Sequence, residues 1–374
     1  MSNTRKVLFP PNENIGMYAW ARNIYGTGNK KTTIFVGNPG CGKTAIFYSM
    51  QDVDVFPQAK EYTFIYIDAP NYTPTDLVAS IPNMEEKVMQ QLVSDVIVRN
   101  KKLGKPVVIL IDEYGKCDKF SKSIFTRLIL ERACGEEKLC GRSIIMATSN
   151  YEDSGLGDTF RAHEANRLCF VGFKVSDSDW RKYQVKQNAD PALVAVTVAN
   201  KRFFEDYGYE PLDPVRSKYF ASPRSLSSCD IDIKTYREDQ NAKDFRIKDI
   251  AEDILRDKLC GSIGEGAGEE LLNMVLLGNE LISTEEIFEN PTEAKLVDNI
   301  TAYCMLISNA VKDISISKLQ NNLTAFVTYV ERYDDAERLD LFFSQAFELI
   351  GNKFCSRNKA MVEWFRDRDN SNKI

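Results

Sequence analysis

Histidine is almost missing from this chain: His163 is the single one in 374 residues. The nine cysteines show no paired spacing, and the nearest approach to a metal pattern is Cys134 and Cys140 with GEEKL between them. A zinc site takes about four ligands at tighter spacing, so the cysteines are expected to be reduced, mostly buried thiols that need no disulfide. Long apolar runs are also lacking. No stretch approaches the roughly 18 residues of a membrane span, and MSNTRKVLFPPNEN has no apolar signal-peptide core. A cytoplasmic protein is the expectation. A basic excess is absent too: the net charge is −6, against broad, sequence-independent nucleic-acid binding. Internal repeats and low-complexity segments do not occur.

What is present is an ordinary globular composition, 43% hydrophobic and 27% charged. The length exceeds one usual hydrophobic core, so two or three domains are expected. The first half alternates β-rich runs with helical patterns. Thr32–Val36, Thr63–Asp68, Val107–Asp112, Ser143–Thr148 and Leu168–Val175 read as strands, each nearly continuously apolar, as strands buried on both faces are. Helices are expected over Glu85–Asn100, with Val88, Leu92 and Val96 on one face, and over Phe120–Ala133 ahead of Gly135 and Gly141. Such alternation predicts a doubly wound α/β domain with a parallel sheet.

Beyond residue 176 the pattern turns helical. Helices are expected over Asp177–Gln187 and Pro191–Asp206, followed by an irregular link through Pro211, Pro214 and Pro223. Further helices fall near Lys243–Leu259 and, after a Gly-rich break, Glu269–Leu277. Near the end, Leu319, Leu323, Phe326, Val327 and Val330 form one apolar stripe. Leu339, Phe342, Phe343, Ala346, Phe347 and Ile350 form another, and both read as core. The tail RDRDNSNKI reads as frayed.

Two segments carry chemistry. In TTIFVGNPGCGKTAIF an apolar strand runs into Gly37, Asn38, Pro39, Gly40, Cys41, Gly42, Lys43 and Thr44. The glycines let successive N–H groups turn inward, the helix beginning near Lys43 adds its positive end, Lys43 reaches β- and γ-phosphates, and Thr44 offers a hydroxyl to magnesium. That pattern predicts a purine nucleoside triphosphate, ATP or GTP. In KPVVILIDEYGK the apolar Val108–Ile111 end in Asp112 and Glu113. Asp112 is placed to hold magnesium through water, and Glu113 to polarise an attacking water. A third strand, SIIMATSN, ends in Asn150, an amide suited to hold that water or touch the γ-phosphate. Cys41 fills a variable loop position, as a small residue or as a point of thiol sensitivity.

Taken in order, these segments resemble the MoxR-type branch of the AAA+ ATPases. GNPGCGKT and VVILIDE resemble Walker A and Walker B, and DAPNYTPTDLVASIP resembles the stretch before that family's helix-two insert. ATSN resembles sensor 1, with Asn150 as the sensing residue. FRAHEANRLCF resembles the arginine-finger stretch, where Arg167 is the match and Arg161 its rival; ASPRSLS resembles sensor 2, with Arg224. The resemblance implies an AAA+ α/β domain over residues 1–176, a helical lid over 177–285 and a helical C-terminal extension over 286–374. It further implies ATP and Mg2+ as ligands and catalytic roles for Lys43, Glu113, Asn150 and Arg167. An arginine finger comes from a neighbouring subunit, so a ring, commonly a hexamer, is implied, remodelling a protein target with a separate von Willebrand factor A-type partner. Two rivals stay open: a nucleic-acid-associated motor or loader, and a nucleotide-dependent docking switch.

Overall fold

The structure is a computed structural model that describes residues 32–53, 56–94, 104–117, 119–150, 168–173, 175–204, 220–240 and 245–371. The chain forms two compact units, Met1–Val175 and Ser176–Ile374, and each is described by itself.

The first unit is built on β1 (Thr33–Val36), β2 (Thr63–Asp68), β5 (Val107–Asp112), β8 (Ile144–Ser149) and β9 (Cys169–Gly172). They form one parallel sheet in the order β2-β5-β8-β1-β9. Every residue of β1, β5 and β8 is buried, the signature of a sheet covered on both faces. Alternation assigns the covers. Val107, Ile109 and Ile111 point to the side where Phe125, Leu128 and Ile129 of α3 (Lys119–Glu131) join the same core. On the opposite face Phe64 and Tyr66 meet Phe47 of α1 (Lys43–Ser49), with ring centroids 5.7 and 6.4 Å apart. The expected doubly wound α/β arrangement is therefore present, with five strands at or within a few residues of their predicted bounds.

One expected helix is a hairpin instead. Val88 and Leu92 lie on β4 (Val88–Val93), which pairs antiparallel with β3 (Val78–Asn83) after the short α2 (Pro74–Leu77). A spacing of four satisfies both the helical period and the strand period of two, so Val88 and Leu92 share a face in either structure. Asn83 decides locally: its side-chain oxygen accepts from the amides of Glu85 and Glu86, closing the turn. The rest of the expected helix, with Val96, lies outside the described residues. Gly135, at φ +56°, turns a second hairpin between β6 (Ala133–Cys134) and β7 (Glu137–Lys138). Cys134 there is buried, its thiol pushed up to about 11 by burial. All nine cysteines are free, and among the described residues no cluster of metal-ligating side chains occurs.

The second unit is helical among the described residues: α4 (Asp177–Lys186), α5 (Pro191–Ala199), α6 (Pro223–Gln240), α7 (Phe245–Ile263), α8 (Glu265–Asn279), α9 (Thr284–Glu289), α10 (Ile300–Ser317), α11 (Gln320–Glu331), α12 (Ala336–Leu349), α13 (Asn352–Cys355) and α14 (Lys359–Ser371). Side chains cap many of these helices. Ser176 accepts from Asp179 N–H, Asp190 precedes Pro191 at the first helical position, and Asn299 accepts from two amides of α10. This unit departs from expectation at Pro223 and at the tail. Pro223 opens an 18-residue helix rather than ending a link, because proline suits a first turn. The Gly-rich break is confined to Gly264, since α7 runs on to Ile263 and α8 already starts at Glu265. A Cβ on Gly268 would stand 2.7 Å from Cys260 Cα, so that glycine serves close approach of α7 and α8. Finally, the tail is helical through Ser371.

The two predicted stripes, through Phe326 on α11 and Phe342 on α12, meet in one core with Tyr303 and Leu306 of α10, except that Leu319, ahead of α11, is 55% exposed and lies outside it. The Phe326 and Phe342 rings stand 4.8 Å apart. Among the described residues no helix is long and apolar enough to cross a membrane.

Candidate nucleotide site

The ends of three adjacent strands converge. In the order β5-β8-β1, β5 delivers Asp112 and Glu113, β8 delivers Thr148, Ser149 and Asn150, and β1 delivers the Gly37–Thr44 loop. The connection from β1 crosses to the far edge strand β2 while β8 returns beside it, so this is a crevice at the carboxyl ends of a parallel sheet.

The loop is pinned where it leaves β1. Gly37 N–H donates to the carbonyl of Ser149 at 3.2 Å, and a Cβ on Gly37 would come within 2.3 Å of the Phe173 carbonyl. Only glycine fits there. Gly40 and Gly42 take φ +76° and +96°, the left-handed backbone that glycine tolerates best and that turns consecutive amides inward. Cys41 is buried, its thiol 3.6 Å from the Phe173 carbonyl.

Lys43 is buried at the base of the loop. Its ammonium donates to Gly37 O at 2.8 Å, Asn38 O at 2.8 Å and Asn150 Oδ1 at 2.9 Å. An ammonium has three protons, so lysine, loop and β8 tip form one unit. Lys43 and Asn150, both read from the sequence, are thereby in direct contact.

Thr44 donates to the Asp112 carboxylate, 3.0 Å from Oδ2 and 3.2 Å from Oδ1. Two residues to which the sequence assigned no role complete the set. Tyr66 on β2 donates to Asp112 Oδ2 at 3.0 Å, and Thr148 on β8 donates to Oδ1. Burial, then the Asp112 carboxylate, pushes the Tyr66 phenol well above its usual range, so it stays a donor at neutral pH. Thr148 also accepts from Glu113 N–H at 2.9 Å, fixing the turn after β5. Glu113 itself has a left-handed backbone (φ 54°), and its side chain, 41% exposed, lies 2.7 Å from Lys116 Nζ.

The donor set decides which metal fits. Thr44 and Asp112 supply oxygen only, and too few for an all-protein calcium cage. A magnesium ion takes one or two protein oxygens and completes its shell with waters and phosphate, which matches the buried carboxylate and adjoining hydroxyl.

Arg224 belongs to the second unit, exposed on the first turn of α6 behind the Ser222 cap. Arg161 and Arg167 lie outside the described residues. Tyr66, Thr148 and Lys116 are what sequence reasoning missed. The one available signal was that Tyr66 sits two residues before the end of β2, next to a strand ending in an acid.

No protein-family model matches the chain, and no curated protein sequence does. Among solved structures, a presumed ATPase from Cytophaga hutchinsonii is 11% identical, covering 89% of this chain and 80% of that one at a TM-score of 0.29. A variant of RuvB from Thermotoga maritima is 12% identical, covering 75% of this chain and 77% of that one at a TM-score of 0.36. Likenesses at these scores carry no argument about activity, and the chemistry of the site stands on its own geometry.

Proposed function

We propose that this chain is a MoxR-like AAA+ ATPase of the cytoplasm that couples ATP hydrolysis in an oligomeric ring to remodelling or maturation of a protein partner. The observation that supports it best is the contact of all three motif ends: Lys43 on Asn150, and Thr44 on Asp112.

In this reading the Gly37–Thr44 amides and Lys43 bind the β- and γ-phosphates, Lys43 exchanging part of its carbonyl contacts for phosphate oxygen. Thr44 and Asp112 would hold magnesium, which would supply positive charge to offset that of the phosphates. Glu113 takes a proton from water as the water oxygen bonds to the γ-phosphorus and the bond to the ADP oxygen breaks. Asn150 orients that water. Arg224 senses the nucleotide from the lid, residues 177–285, onto which the extension, residues 286–374, packs through α10 against α5 and α8. Arg167, or Arg161 in its place, reaches the phosphate of a neighbouring subunit. A von Willebrand factor A-type protein is the proposed partner.

The test is the solution mass of Glu113→Gln with and without Mg-ATP. A rise from small species to about six subunits supports a ring whose sites are shared between subunits. A mass that stays monomeric or dimeric with ATP bound overturns the ring and with it the arginine finger.

A further inference from the structure

The carboxylate of Asp112 is nearly buried, and its partners are three hydroxyls supplied by three elements: Thr44 from α1, Thr148 from β8 and Tyr66 from β2. A lysine or arginine in the same place would neutralise the carboxylate and compete with any cation brought to it. Hydroxyls fix its orientation and leave its charge available. Tyr66 differs from the other two. Thr44 belongs to the phosphate loop and Thr148 to the neighbouring strand, whereas Tyr66 reaches across from the edge strand, two residues before its end. Its ring is held independently of that hydrogen bond. It stacks on Tyr48 of α1 at 6.2 Å and 23°, and meets Phe47 at 6.4 Å. The phenol oxygen is thus fixed by the helix that begins with Lys43 and Thr44.

From this geometry we infer that Tyr66 is a positioning residue for magnesium, acting through Asp112, which it holds in register with the phosphate-loop helix. Tyr66 touches neither nucleotide nor metal in this role. It sets how much magnesium the site needs, because a carboxylate that must be oriented on binding holds a cation less well than one already oriented. Groups that hydrogen-bond a ligating side chain in this way change metal affinity by about 10–100-fold when removed. The inference rests on the assignment of Asp112 to magnesium.

The experiment measures binding, so that it does not depend on turnover. A fluorescent ADP is titrated onto the full chain in EDTA and then over a series of MgCl2 concentrations, for wild type, Tyr66→Phe, Tyr48→Phe and Asp112→Asn. Tyr66→Phe keeps the ring and its stacking and loses only the donor. Its half-saturating magnesium concentration is expected to rise about tenfold, with nucleotide binding in EDTA and the melting temperature unchanged. Tyr48→Phe, which leaves the hydrogen bond intact, is expected to behave as wild type. An unshifted magnesium midpoint in Tyr66→Phe beside a shifted one in Asp112→Asn overturns the role of Tyr66 alone. If Asp112→Asn leaves the midpoint unmoved as well, the magnesium assignment falls and Tyr66 falls with it. Equal losses of binding with and without magnesium in Tyr66→Phe would mark it as structural and also overturn the inference.

Discussion

Lys116 Nζ stands 2.7 Å from Glu113 Oε2, an ion pair closed across the short turn Tyr114–Lys116. The residue proposed to take the proton of water is thus held by a cation three residues further along its own chain. Tyr114 and Gly115 between them are buried, so the turn is fixed while the two charged ends remain partly exposed. Exposed pairs of this kind are worth about 0–1 kcal/mol. In the proposed role, the Glu113 carboxylate would give up its contact with Lys116 to take the proton of a water.

Removing that restraint should therefore speed the basal reaction. Lys116→Met is expected to raise ATP turnover about two- to fivefold, the range that up to about 1 kcal/mol allows. ATP affinity should not change. A steady-state assay of the isolated protein checks it, and a slower variant would mean that Lys116 assists Glu113 instead of restraining it.

The phosphate loop offers a sharper steric prediction. Gly37→Ala would place a methyl 2.3 Å from the Phe173 carbonyl, a backbone atom that cannot rotate aside. Overpacking of this kind costs about 1–3 kcal/mol. A lower melting temperature and weakened nucleotide binding should appear together, since the same loop amides serve both. Binding at wild-type strength would show that β9 yields more easily than its hydrogen bonds suggest.

Asn150→Ala separates binding from chemistry. Its amide oxygen accepts from Lys43 but belongs to β8, not to the loop. ATP should still bind, within about threefold of wild type, while turnover falls about 10- to 100-fold, the loss expected for the proposed orienting group of the water. Equilibrium binding and single-turnover rates decide it. Loss of binding equal to that of Lys43→Ala would make Asn150 a support for the lysine only.

Alkaline pH should destabilise the chain, its buried thiols adding to the buried phenols of Tyr303 and Tyr329, which burial also raises. Burial raises the thiols of Cys134, Cys304 and Cys355 from the ordinary 9.0 to about 11, and that of Cys229 to about 12. A group with a raised folded-state value contributes its full stability below the unfolded value. Between pH 9 and 11 the unfolded chain gives up thiol protons that the folded chain keeps, so stability declines as pH rises. Each thiol lowers stability by on the order of 1 kcal/mol near pH 10. Urea unfolding should give a plateau to about pH 8.5 and a steep loss above it. Replacing Cys304 and Cys355 with alanine should flatten that loss; an unchanged slope would assign it to other groups.

The parts of the molecule legible from sequence are those in which local pattern and tertiary role agree. Residues 107–111 are continuously apolar because both faces of the strand are covered, and the acidic Asp112 that ends it lies in the crevice. The Gly37–Thr44 loop is legible because strand, glycines, lysine and helix are contiguous. Where two periods coincide, as at Val88 and Leu92, pattern could not choose, and an Asn83 turn did. Pro223 is ambiguous in sequence because proline breaks a helix interior yet suits its first turn, where the structure has it. The roles of Tyr66 and Thr148 escape the sequence for another reason. Their importance lies in the partner they reach across the sheet, 46 and 36 residues away along the chain, and no local spacing encodes that.

The order of the strands has a consequence for how the chain acquires its site during synthesis. β1 is formed early but pairs with β8 and β9, Thr33 lying opposite Met146 on one side and Cys169 on the other. Pairings so distant along the chain close slowly. A nascent chain halted on the ribosome before β9 has emerged carries every residue of the phosphate loop yet lacks the strand whose end abuts Gly37. The ability to retain nucleotide should therefore arrive abruptly, as the chain passes Phe173, and not gradually with length.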